Sequence, residues 1–158
     1  RDRSPSRGLG DVYKRQGYSL GSSRSDNLPA YCFGHGLSYT TFEYSDLKID
    51  SIHSMNKGNI HVSFKVKNTG QMKGKEVPML FVRDCISSVV TPLKLLKEFT
   101  KIELAPNEEQ TINFNIPMTS LGLWNEYMKF VVEPGDFLFS IGRSVSDIRL
   151  EKKITIKE

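Results

Sequence analysis

The sequence predicts an all-β chain, a two-sheet sandwich of about seven strands. Three observations carry this. Apolar and polar residues alternate with period two in the stretches 60–66 and 112–116, and apolar residues occupy every second position of 137–141, the spacing of strands with one buried face. Turn chemistry recurs between them as NTG at 68–70, APN at 105–107 and EPGD at 133–136. The region from Ser45 onward is about 114 residues, the size and rhythm of an immunoglobulin-like sandwich.

Taken in order, FGHGLSYTTF at 33–42 places a histidine between two glycines and then runs into strand-favouring residues. Gly34 and Gly36 suit a tight reversal, while Tyr39, Thr40, Thr41 and Phe42 favour extended chain. In 60–68 (IHVSFKVKN), Ile60, Val62, Phe64 and Val66 face one way, with His61, Ser63, Lys65 and Lys67 on the other side. The stretch 76–84 is almost continuously apolar, which predicts a central strand. Pro78 inside it has no N–H to donate and points to an edge or a bulge. An extended run at 95–104 is followed by 110–117, with Ile112, Phe114 and Ile116 inward. A short helical turn is expected over 118–124, then strand at 129–132. Phe137, Phe139 and Ile141 form the next inward face, and 148–156 is the last strand.

Composition bounds the alternatives. A hydrophobic fraction of 38% suits a globular fold, and no apolar run approaches the ~20 residues of a membrane helix. The net charge of +4 resides mostly in residues 1–16, which hold five basic residues against two acidic ones. The remainder carries a net of +1, so no nucleic-acid partner is implied for the folded part and no membrane partner either. Residues 1–16 resemble a translated sequencing-adapter segment or a disordered basic arm and are set aside from the fold. A nucleic-acid role would rest wholly on that arm. Residues 17–44 are expected to be a linker and joining segment, and 45–158 the folded domain. Cys32 and Cys85 are too few for a disulfide framework and are expected to be free thiols.

Five stretches in the same order resemble the C-terminal fibronectin type III-like module of glycoside hydrolase family 3, the β-glucosidase and β-xylosidase family. They are FGHGLSYTTF, VKNTGQMKGKEV, FVRDCISSVVTPLKLLKEF, IELAPNEEQTINFNIP and WNEYMKFVVEPGDFLFSIG. His35, where the family more often has tyrosine, and Cys32 and Cys85, where it more often has proline, mark a divergent member. The resemblance implies a non-catalytic module that stabilises and orients catalytic domains of the same polypeptide, with β-linked sugars handled by the parent enzyme and no cofactor. The alternative, from a different class, is a free-standing carbohydrate-binding or adhesion sandwich.

The candidate residues follow from this. No catalytic residue is expected, because retaining glycoside hydrolysis needs two carboxyl groups about 5 Å apart, and the family carries them in domains absent here. The acidic residues of this chain fall in turns or on outward positions. Cys32 and His35 have the start of a metal-ligand spacing, but His53, His61 and Cys85 do not complete it, so no metal site is expected. Phe33, Gly34, His35, Gly36, Leu37 and Tyr39 are expected to dock on a neighbouring domain through an apolar patch. Arg83, Asp84, Ser87 and Ser88, in the loop at 83–90, are expected to lie near the parent's sugar site. Trp124, Tyr127 and Phe130 do not align on one strand face and are expected to be core or edge packing.

Overall fold

Among the described residues, 29–50 and 58–157 of a computed structural model, eleven strands form. The leader, residues 17–28 of the linker and His53 lie outside the described residues. The strands are β1 (Phe42–Ile49), β2 (Asn59–Asn68), β3 (Gly74–Glu76), β4 (Met79–Asp84), β5 (Leu95–Phe99), β6 (Ile102–Leu104), β7 (Glu109–Pro117), β8 (Leu123–Trp124), β9 (Phe130–Val131), β10 (Gly135–Gly142) and β11 (Ile148–Ile156). One sheet has the order β1-β2-β7 and the other β11-β10-β4-β5, with the two-stranded ribbons β3-β6 and β8-β9 beside them. All pairings are antiparallel.

The period-two pattern determines which face of each strand is buried. Ile60, Val62, Phe64 and Val66 of β2, Ile112, Phe114 and Ile116 of β7, and Phe137, Phe139 and Ile141 of β10 all enter one core shared by the two sheets. Phe64 stacks parallel to Tyr44 and meets the Phe114 ring at a tilt. Burial at these positions is the main driving force for closing the sandwich.

Four expectations on element boundaries change. The stretch 76–84 is two elements, because strand pairing stops at Val77 and Pro78 and the chain passes from the β3-β6 ribbon into the larger sheet. The Pro78 carbonyl still accepts the Thr100 N–H at 3.2 Å, so the break costs no buried acceptor. The run 95–104 likewise divides at Thr100 and Lys101 into β5 and β6, which belong to different sheets. The expected helical turn is a 3-10 turn over Met118–Leu121, and Leu123–Trp124 is already strand. Pairing of β1 begins at Phe42, ahead of Ser45, so the joining segment leads directly into the sheet.

Candidate functional site

The joining segment is fixed by two local facts. Gly34 has φ +82°, and a Cβ there would lie 2.9 Å from Met79 Cε and 3.0 Å from Ser144 Cα, so both the conformation and the close approach require glycine. The Val145 N–H donates to the Phe33 carbonyl at 3.0 Å. Held this way, Phe33, Leu37 and Tyr39 point to solvent, Leu37 and Tyr39 being 93% and 96% exposed. Thr40 turns inward, and its hydroxyl donates to Asn68 Oδ1 at 2.6 Å.

Beneath the segment lies a cleft of about 240 Å³ that includes His35, Gly36, Lys75, Glu76, Met79 and Arg143 in its lining. Its floor is charged. Glu76 is 5% exposed and pairs with Arg143 Nε at 3.2 Å. Asp147 in turn holds Arg149 at 2.6 Å. Burial first, and the Glu76 carboxylate second, raise the pKa of the Tyr44 hydroxyl far above its ordinary value.

The second candidate group follows β4. The Ile86 N–H donates to Asp84 Oδ1 at 3.2 Å, and Ser88 donates both its N–H and its hydroxyl to Glu133. The Cys85 N–H donates to the Asp136 carbonyl at 2.9 Å, and Cys85 remains a thiol. Ser87 Oγ is buried with no protein partner. Arg83 is exposed and, with Asp84, Ser87 and Ser88, lines an open cleft of about 330 Å³. Burial is the main cause of a raised pKa at Asp84, with the Glu133 carboxylate adding to it.

The two groups, separate in sequence, are linked in space. Lys94 Nζ, on the return limb of the loop, donates to the Val145 carbonyl at 2.6 Å, while the Val145 N–H holds Phe33. Nothing in the sequence singles out Val145, because its contribution is entirely main-chain. Exposed Ile86, Val90 and Leu93 add apolar surface on the loop.

The carboxylates here brace structure. Glu133 is used by Ser88, Glu76 by Arg143, and Asp136 by Lys153 and Thr155. The arrangement offers a shaped, partly apolar surface for recognition, and no acid/base pair is assigned.

The aromatic residues depart from expectation. Trp124, Tyr127 and Phe130 are not core; they are 62%, 73% and 49% exposed. The inward positions of this short ribbon belong to Leu123 and Val131, which pair with each other, so alternation directs Trp124 and Phe130 outward.

Comparison with known proteins places this geometry. The fibronectin type III-like domain family matches residues 76–145. Thermostable β-glucosidase B of Acetivibrio thermocellus is 46% identical over 129 residues, covering 81% of this chain but 17% of that protein. A β-xylosidase of Formosa agariphila is 44% identical over 120 residues, covering 76% of this chain and 17% of its own length. Among solved structures, β-glucosidase 3B of Thermotoga neapolitana superposes with a TM-score of 0.77 at 32% identity, over 93% of this chain and 19% of that one. The β-glucosidase of Listeria innocua gives a TM-score of 0.79 at 28% identity, over 92% and 20%. The chain therefore spans a small part of the relatives it matches.

Proposed function

Residues 76–145 belong to the fibronectin type III-like family as it occurs in the C-terminal region of family 3 β-glucosidases, and from that membership we propose that the chain is a non-catalytic module docked on the catalytic domains of its own polypeptide. The parent reaction is retaining hydrolysis of terminal β-linked sugars, without cofactor. The joining segment ahead of Phe42 links the module to the catalytic part, and the module begins with β1.

The observation that carries this reading is the apolar joining segment. Phe33, Leu37 and Tyr39 are exposed on a backbone that is itself pinned by Gly34 and Val145. Exposed apolar side chains beside a charged cleft make a surface suited to burial against a partner. His35 and Gly36 line that cleft and dock with them. The loop carrying Arg83, Asp84, Ser87 and Ser88, tied to the same segment through Val145 and Lys94, shapes the approach to the sugar site.

The test is a chimera in which this chain replaces the matching stretch of the A. thermocellus β-glucosidase B. The chimera is expected to hydrolyse an aryl β-glucoside, whereas the isolated chain does not. Leu37→Asp combined with Tyr39→Asp is expected to lower the unfolding midpoint of the chimera by several degrees and leave that of the isolated chain within about 1 °C, since the exposed side chains support nothing in the free module. Equal shifts in both proteins would mean the segment serves the module's own stability, and docking would be the wrong reading.

A further inference from the structure

The β8-β9 hairpin is built more firmly than its two-residue strands require. Asn125 Oδ1 accepts the N–H groups of Tyr127 and Lys129, each at 3.0 Å, and the Asn125 main chain exchanges further bonds with Lys129 and Met128 at 3.0 Å. Met128 takes φ 57° to close the turn. Phe130 rests on Gly122, where an added Cβ would come within 2.5 Å of its ring. The Trp124 and Phe130 rings lie 5.5 Å apart at 57°. Leu123 faces a small apolar cavity with Val82, Leu95 and Phe137, which anchors the hairpin and leaves Trp124 outside.

We propose that the exposed face of Trp124, supported by Phe130 and flanked by Tyr127, binds a β-linked oligosaccharide. Pyranose rings with equatorial substituents present an apolar C–H face that stacks on an aromatic ring. Their hydroxyl edges require donors and acceptors, which the exposed Lys129 and Glu126 of the same hairpin provide. At 62% and 49% exposure, the Trp124 and Phe130 side chains together show about 250 Å². A patch of this size matches one or two sugar rings. A preset backbone limits the ordering cost of binding. The choice of a β-linked sugar rests on the proposed parent activity, whereas the platform rests on the hairpin alone.

Trp124 is the single tryptophan of the chain, so its emission reports this face directly. Titration of the whole chain with cellopentaose and with xylopentaose is expected to give a saturable blue shift with at least one of them. By calorimetry, Trp124→Ala is expected to weaken that binding about tenfold or more, a loss of about 1.4 kcal/mol. Tyr127→Ala is expected to weaken it less, with both variants unfolding at the wild-type midpoint. No saturable change with either sugar overturns the proposal, as does binding that survives Trp124→Ala. An indole shielded from acrylamide in the sugar-free chimera also overturns it, because the face is then covered by protein. Loss of docking appears in the chimera's unfolding midpoint and loss of sugar binding in the indole emission, so the two readings fail separately.

Discussion

Asp84 and Asp136 sit at the same end of the β4-β10 pair, where Phe137 lies opposite Asp84, yet their pKa values move in opposite directions. Asp136 accepts from Lys153 and from the Thr155 hydroxyl, both at 2.6 Å, and is held below the ordinary value of 3.8. Asp84 is raised above 3.8 by burial, with Glu133 nearby. A lowered folded pKa contributes stability above the unfolded value and loses it as pH falls through the folded one; a raised pKa does the reverse. Asp136→Asn should therefore lower stability at pH 7, with the deficit closing as pH falls below 3.8. Asp84→Asn, which retains the acceptor for Ile86, should raise stability at pH 7, with the gain vanishing as pH falls toward 3.8. Urea midpoints at pH 7, 5 and 3 check both signs. Asn68 makes a second case. Fully buried, its side chain accepts from Thr40 and Gly70 and donates to the carbonyls of Met72 and Leu104. Asn68→Ala should cost about 3 kcal/mol in urea unfolding, because buried donors and acceptors lose partners together. The exposed Thr41→Ala, losing one hydroxyl contact to Thr69, should stay within about 0.5 kcal/mol. The sequence shows Asn68-Thr69-Gly70 as a turn. Its bond to Leu104, 36 residues away, is a long-range contact that no local pattern encodes.

Elements were legible wherever one face is core and the other solvent. β2 and β7 follow their alternation closely because a shift of one residue would exchange buried and exposed faces. Where both faces are partly covered, or the strand is only two or three residues long, the pattern does not mark the boundary. Pro78 was visible as an interruption, but its effect, passing the chain from one sheet to another, depends on which strands lie beside it. The aromatic residues of the β8-β9 ribbon depart from core packing for the same reason: Leu123 and Val131 occupy the inner positions. The joining segment supplies a test at this level. Gly34→Ala should destabilise the isolated chain by about 1–3 kcal/mol, since it forces a left-handed backbone onto alanine and crowds Met79 and the Ser144 backbone. Gly36→Ala, with nothing within 4 Å of its Cβ position, should change the thermal midpoint little.

At the scale of the molecule, an ion pair with a buried carboxylate joins distant parts of the chain. Glu76 ends β3, and Arg143 follows β10, 67 residues later. Arg143→Leu should cost about 3 kcal/mol in urea unfolding, because it leaves a carboxylate enclosed without its partner. Combining it with Glu76→Leu should recover much of the loss, since two apolar groups require no compensation. This pair also underlies the cleft beneath the joining segment, so the same cycle measured in the chimera tests whether the module's interior supports its docking face. The fold class and the inward faces of the long strands are readable from residue order, because period-two burial and turn chemistry are local properties of the chain, whereas the candidate groups around residues 33–39 and 83–88 come from the family resemblance. Only the tertiary structure decided that Val145 and Lys94 tie those groups together, that Asn68 and Glu76 are buried polar anchors, and that Trp124 faces water. Each of these is a contact or an exposure set by chain segments tens of residues apart, and such distances become short only when the two sheets close on their shared core.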